Sequence, residues 1–281
     1  MKNLKKVLSL VLALAMALSL MTAAFAADAS DYKDYSKVTY KEAVDVMTAA
    51  GIFNGGDGNN FNPDATLNRE QAAKIITYML MGQKEADKLT TTIAPYADVA
   101  ATRWSAGSIA YCTNEGIIAG DGNGRFNPTA GVTGLQFAKM LLVALGYDAK
   151  VENLVGNSWA INTAKLALNT DLDEGMEDIS LSKELTREEA AQMAFNTMKA
   201  NIVEYDSQTD INVNGAQVVI GNKKAYNVTT SRDWGKNIYD DEAKDGGNGY
   251  IVQFAEQYCR DLELNETATT ADSFGRPAHK W

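Results

Sequence analysis

Gly51-Ile52-Phe53, then Gly55, Phe61-Asn62-Pro63 and Leu67-Asn68-Arg69-Glu70-Gln71, is the stretch from which the fold can be read. The same landmarks return 65 residues later as Gly116-Ile117-Ile118, Gly120, Phe126-Asn127-Pro128 and Val132-Thr133-Gly134-Leu135-Gln136. A third start, Leu185-Thr186-Arg187-Glu188-Glu189, follows after a further 53 residues. A period held in register over this many positions marks tandem structural units.

Each copy predicts the start of a helix. Asn68, Thr133 and Thr186 are N-cap residues, and Gln71, Gln136 and Glu189 stand three places on, completing capping boxes. Leu67, Val132 and Leu185 precede the caps and face Ala72, Phe137 and Ala190 in staple positions. Behind the caps run Ile75, Ile76, Met79 and Leu80; Met140, Leu141, Ala144 and Leu145; and Met193, Ala194, Thr197 and Met198. Each set is one helical face, so three equivalent helices are expected to pack as a pseudo-threefold bundle. A shorter helix is expected ahead of each. An acid or amide (Asp34, Asp98, Asn153) stands six residues before an aromatic (Tyr40, Trp104, Trp159) in all three copies. Gly55-Gly56-Asp57-Gly58 and Gly120-Asp121-Gly122 supply the tight reversals between short and long helix.

The N-terminus sets the compartment. A basic Met1–Lys6 stretch, an apolar Val7–Met21 run and Ala24-Phe25-Ala26 read as a secretory signal peptide cleaved after Ala26. The apolar run is shorter than the ~20 residues of a membrane-spanning helix. Losing Lys2, Lys5 and Lys6 shifts the formal charge from −10 to −13. So acidic a body excludes nucleic acid and anionic membrane surfaces as general partners, and no stable membrane insertion is expected after cleavage. Cys112 and Cys259 are too few and too far apart for a disulfide framework, and are expected as two thiols.

Asp six residues before an aromatic, Gly-Ile-Ile-x-Gly-Asp-Gly, Phe-x-Pro and Thr-Arg-Glu-Glu together resemble S-layer homology domains. The resemblance covers residues 28–205, as copies at 28–90, 91–150 and 151–205, the last with a degenerate loop. It implies a mainly α fold, three short-helix arms around three central helices. It also implies non-covalent binding of secondary cell-wall polysaccharide, acidic and pyruvylated in many members, on a Gram-positive-type cell surface. By position, the ligand-binding residues it implies are Arg69, Arg187, Asp34, Asp98, Tyr40, Trp104, Trp159, the loops at Gly55 and Gly120, and the neighbouring Glu70 and Glu188.

The chemistry can be argued without the family. Arg at the first helical position stands beside unpaired N–H groups and the positive helix end, where a carboxylate can receive a bidentate pair plus backbone donors. The competing expectation is that Arg69 and Arg187 pair with Glu70 and Glu188, and that the large aromatics are core, their commoner fate. The glycines are expected to shape turns rather than touch ligand. The second copy has Gly134-Leu135 in place of Arg-Glu and the third lacks the glycine loop, so at most two competent grooves are expected.

Residues 206–281 change texture into a small α+β segment. Ile211–Gly215, Gln217–Ile220 and Ala225–Val228 read as short strands, the last two flanking Gly221-Asn222. Gly246–Gly249 reads as a spacer and Tyr250–Leu264 as a helix. The final Phe274-Gly275-Arg276-Pro277 resembles segments that introduce further domains, which suggests a truncated product. Three other functions compete with wall anchoring. A calcium-docking loop at Asp57 or Asp121 would have Phe61 or Arg125 at its fifth ligand position and Asn68 or Val132 at its twelfth, in place of a bidentate acid. No metal or cofactor is therefore expected. An enzyme is not expected either, since His279 is the single histidine, although a carboxylate pair for glycan cleavage stays open. Self-association as a surface-layer subunit is compatible with anchoring, but the tail is short for a lattice domain.

Overall fold

Three capped helices begin where the repeats place them: α2 (Arg69–Ala86), α4 (Gly134–Ala144) and α6 (Arg187–Lys199). The computed structural model describes residues 28–205, 209–213, 216–220, 224–230 and 250–259. The expected leader, the Gly246–Gly249 spacer and the Phe274–Pro277 segment lie outside these residues. All three capping boxes close in both directions; Gln71 N donates to Asn68 Oδ1 at 2.9 Å and Asn68 N to Gln71 Oε1 at 3.1 Å. α2 is interrupted at Gly82, where φ is 74°. The predicted apolar faces are buried in all three helices, down to Met198 at 4 % exposure.

The short helices α1 (Lys41–Ala49), α3 (Ala106–Asn114) and α5 (Trp159–Asn169) complete the arms. Each packs on the long helix of the preceding copy in cyclic order: α3 on α2, α5 on α4, and α1 back on α6. No copy therefore buries its own short helix against its own long one, and the circle closes only when all three are present.

The residue before each cap builds a collar. Leu67 N donates to Leu185 O, Leu185 N to Val132 O and Val132 N to Leu67 O, each at 2.9 Å. All three side chains are fully buried or within 1 % of it. A sequence seen only as staples thus also forms a closed triangle of strand-like pairings above the bundle.

A second collar closes the opposite end. Ile202 N donates to Val252 O at 3.0 Å, while Val228 N donates to Ile202 O and Val252 N to Val228 O, each at 2.9 Å. The order of donation around the ring is the same as in the first. Two antiparallel ladders adjoin it, β1 (Val203–Tyr205) with β4 (Ala225–Asn227) and β5 (Thr229–Thr230) with β6 (Tyr250–Ile251), and a third pairs β2 (Thr209–Val213) with β3 (Ala216–Ile220). Among the described residues β3 pairs back on β2 and β4 on β1, so the two strands read on either side of Gly221-Asn222 belong to different ladders. The expected helix from Tyr250 starts later, because Tyr250–Ile251 joins a ladder; among the described residues of that stretch Phe254–Tyr258 (α7) is helical. Gln253 N donates to Glu256 Oε2 at 2.8 Å in a capping box like those of the three long helices.

Val252, Phe254 and Ala255 belong to the same buried cluster as the three repeats. Val203 N donates to Leu145 O at 2.8 Å, and a Cβ on Gly146 would lie 2.0 Å from Val203 O. Only glycine allows that approach. The sequence boundary at 205/206 thus falls between elements that share one core. Cys112 is buried and its thiol is pushed up to about 12 by desolvation; no disulfide joins it to Cys259 among the described residues.

Candidate functional site

The start of each long helix is closed by the loop of the next copy. Arg69 N and Glu70 N donate to Ala130 O and Pro128 O at 2.9 and 3.0 Å; Arg187 N and Glu188 N donate to Ala65 O and Pro63 O at 2.9 and 3.2 Å. The third N–H of each helix goes to its cap. The helix-end N–H groups expected to receive a ligand carboxylate are therefore already bonded. That part of the expectation is corrected: an anion in these grooves meets side chains, not the helix terminus.

The two arginines are held across the grooves by the same carbonyl pattern. Arg69 Nε donates to Phe126 O at 2.8 Å and Nη2 to Ala119 O at 2.9 Å, with the guanidinium 4.5 Å from the centre of the Phe126 ring. Arg187 Nε donates to Phe61 O at 2.9 Å and Nη2 to Asn54 O at 3.0 Å, over the Phe61 ring at 5.1 Å. A guanidinium carries five N–H donors, so each arginine keeps three beyond these two bonds. Among the described residues neither arginine is in an ion pair. Burial lowers both pKa values, opposed by Tyr96, Asp98 and Asp121 around Arg69 and by Tyr32 and Asp34 around Arg187. A guanidinium stays charged through such shifts. The expected alternative, pairing with the adjacent glutamates, does not occur.

Those glutamates are engaged inside the fold, which corrects their placement among ligand contacts. Glu70 accepts from Arg103 Nε and Nη2, each at 2.7 Å, and from Ser105 Oγ at 2.6 Å. Glu188 accepts from Thr39 N at 2.6 Å and Tyr40 N at 3.4 Å. Each fastens the short helix of the following copy to its own long helix. Asp34 and Asp98 are corrected likewise. Asp34 accepts from Phe61 N and Asn62 N, each at 2.7 Å, and Asp98 from Phe126 N and Asn127 N at 2.8 and 2.7 Å. With both oxygens occupied, these carboxylates fold the Phe-Asn-Pro turn, where Asn62 and Asn127 each take φ 57°.

Tyr40 is half-buried at the core edge and precedes α1. Trp104 is 57 % exposed, so the core expectation fails for it. Trp159 is half-buried and faces Arg69 in a groove of about 530 Å³, with Gly120, Asp121, Phe126, Gln136 and Lys139 also in its lining. Gly55 and Gly120 are required by packing, since a Cβ at either would lie 2.6 Å from the ring of Tyr32 or Tyr96. Lys139 is a groove residue that the motif reading missed. The signal was present, because Lys74 stands 65 residues earlier in the first copy.

The third groove is filled. Gly134 N donates to Lys183 O at 3.0 Å and Leu135 N to Leu181 O at 2.7 Å. A Cβ on Gly134 would lie 2.7 Å from Leu181 Cα. The segment that replaces the glycine loop thus lies directly on the helix start, where an arginine would stand. Gly134→Ala normally favours a helix by ~1 kcal/mol, but here the clash with backbone is expected to reverse the sign to about 1–3 kcal/mol of destabilisation. Urea unfolding measures it; a stabilised variant would show that the Leu181 segment yields.

Residues 31–73 and 95–138 match the S-layer homology domain. The chain is 26% identical over 239 residues to the "Surface layer protein" of Brevibacillus choshinensis, covering 83% of this chain and 20% of that protein. It is 26% identical over 202 residues to the "Middle cell wall protein" of Brevibacillus brevis, with 71% and 18% covered. It is 32% identical over 149 residues to the "Cell surface protein" of Thermoanaerobacter kivui, with 52% and 19% covered. The chain thus spans about a fifth of the length of these relatives. These matches indicate a location at the cell surface or cell wall.

Proposed function

We propose that the bundle anchors a surface protein non-covalently to the cell wall by gripping an acidic wall polysaccharide in the grooves at Arg69 and Arg187. One observation carries this reading: two half-buried guanidinium groups are fixed by carbonyls and an aromatic face, with three donors each left over and no acid paired to them. A partly desolvated cation without an ion-pair partner is costly to keep, and a carboxylate on a sugar would complete it. Trp159 beside Arg69 offers a flat face for a sugar ring. The S-layer homology match and the surface-protein relatives support the same reading.

The mature chain, residues 27–281, is expected to pellet with purified Gram-positive walls and to lose that affinity when the wall polymer is stripped by acid. Each of Arg69→Ala and Arg187→Ala removes a charged hydrogen-bonding group worth about 1.5–3 kcal/mol, and the double variant is expected to bind walls at least tenfold more weakly. Full binding by the double variant would refute the cation grooves; binding that survives stripping would point to peptidoglycan. The similarity to a surface layer protein favours a second reading, participation in a surface layer, which concentration-dependent assembly of the mature chain would support. Neither reading assigns catalysis, and turnover in a muramidase or amidase assay would overturn that.

A further inference from the structure

The two arginine grooves are built alike but do not hold the same charge. Lys74 and Lys139 each stand five residues beyond the first position of a long helix and are equivalent under the 65-residue repeat. Lys74 is neutralised: its ammonium lies 2.8 Å from Asp87 and 4.9 Å from the Tyr78 ring centre. The second copy diverges at this point. α2 continues to Ala86, whereas α4 ends at Ala144 and turns at Gly146. Glu152, 65 residues after Asp87, accepts instead from the Tyr205 hydroxyl at 2.7 Å. Lys139 therefore has no acidic partner among the described residues.

Lys139 is half-buried and lines the groove of Arg69 and Trp159. Burial alone lowers its pKa, and no neighbouring acid restores it. The acid nearest in the lining, Asp121, is engaged by Asn123 N and Arg125 N at 2.8 and 3.1 Å. Two cations thus line one cavity and neither is in an ion pair: Asp98 and Asp121 act on Arg69 from beyond pairing distance, and no acid pairs with Lys139 among the described residues. Each cation keeps donors that an anionic group on a ligand can take up, and a ligand with a single such group leaves one of the two cations without a partner.

We propose that the Arg69 groove is a two-cation site selecting a glycan segment with two anionic groups, and that Lys139 is the residue that sets this selectivity. The Arg187 groove, its lysine neutralised by Asp87, takes a singly charged segment. This inference rests on the wall-anchor reading above and specifies the ligand class at one of its two grooves.

The test is titration calorimetry of the mature chain with three synthetic disaccharides. Each carries one pyruvate-ketal carboxylate; the second sugar is neutral, a uronic acid, or a phosphomonoester. In the Arg187→Ala background, which isolates the Arg69 groove, the ligands with two anionic groups are expected to bind about tenfold more tightly than the one with a single group. Adding Lys139→Gln is expected to bring that ratio close to one, with an unchanged melting temperature showing that the fold is intact. In the Arg69→Ala background the ratio is expected to stay near one. Preference for the uronate or for the phosphomonoester identifies the second anion. A preference that survives Lys139→Gln, or appears equally in the Arg69→Ala background, overturns the role of Lys139 alone. Failure of the folded wild-type chain to bind any of the three overturns the anchor reading and this inference together.

Discussion

Phe254→Ala is expected to destabilise the whole helical bundle by about 3–5 kcal/mol, the usual range for emptying a fully buried phenylalanine site. Phe254 is 0 % exposed and its ring centre lies 4.5 Å from that of Tyr258. Its N–H donates to Ala200 O at 2.9 Å, and α7 packs on both α2 and α6. The residue thus plugs the end of the bundle opposite the arginine grooves, just beyond the Ile202–Val228–Val252 collar. Deleting everything after Tyr205 removes the plug and two of the three residues of that collar, and with them all three of its bonds, and is expected to cost at least as much. In a thermal melt, a loss of this size corresponds to a midpoint lowered by roughly 2–4 °C per kcal/mol for a domain of this size. A melting profile unchanged by both alterations would mean that the repeats fold without the C-terminal strap and that its burial adds nothing.

That strap was the part of the fold hardest to read from sequence, and the reason is physical. The three helix starts are local devices: cap, capping box and staple lie within five residues, so Leu67–Ala72 can be recognised without knowing what surrounds it. The cyclic exchange of short helices is not local. Nothing in Ala106–Asn114 says that it packs on the helix of the copy before it, because either neighbour would bury the same apolar face. Carboxylates misled for a related reason. Asp34 looks like a ligand group until the fold brings Phe61 N and Asn62 N, 27 and 28 residues away, onto its two oxygens. Glu188 caps backbone some 149 residues distant. Arg69 and Arg187 were legible as candidate cations, but that Glu70 and Glu188 turn away from them to Arg103, Ser105 and the Thr39–Tyr40 backbone was not, and Lys139 required comparing copies beyond the motif. Even Val252-Gln253-x-x-Glu256 repeats the form of the other helix starts, but a lone capping pair without the glycine loop gives too little pattern to distinguish it.

Arg103→Ala is the second large effect expected, and its pH dependence separates it from ordinary loss of packing. Glu70 is 3 % exposed, and the groups that hold its charge are Arg103 and Ser105. Burial alone would raise its pKa, but the hydrogen bonds from Arg103 and Ser105 outweigh burial and hold it below the ordinary value. A depressed carboxyl pKa contributes stability that is fully present above the unfolded value, near ~4.3, and is lost as pH falls through the folded one. Without Arg103 the sign reverses. Burial then dominates, the pKa rises above its unfolded value, and an uncompensated buried carboxylate costs about 3–5 kcal/mol at neutral pH, with the Ser105 bond keeping the loss near the lower end. That cost falls as acid protonates Glu70, so the gap between wild type and variant is expected to be widest near pH 7 and to narrow towards pH 4. Adding Glu70→Gln to Arg103→Ala removes the buried charge and is expected to recover part of the loss at pH 7. Urea unfolding of the four proteins of this cycle at both pH values decides the matter. A gap independent of pH, with no recovery in the double variant, would mean that Arg103 holds α3 on α2 through its side-chain packing and not through the charge it gives Glu70.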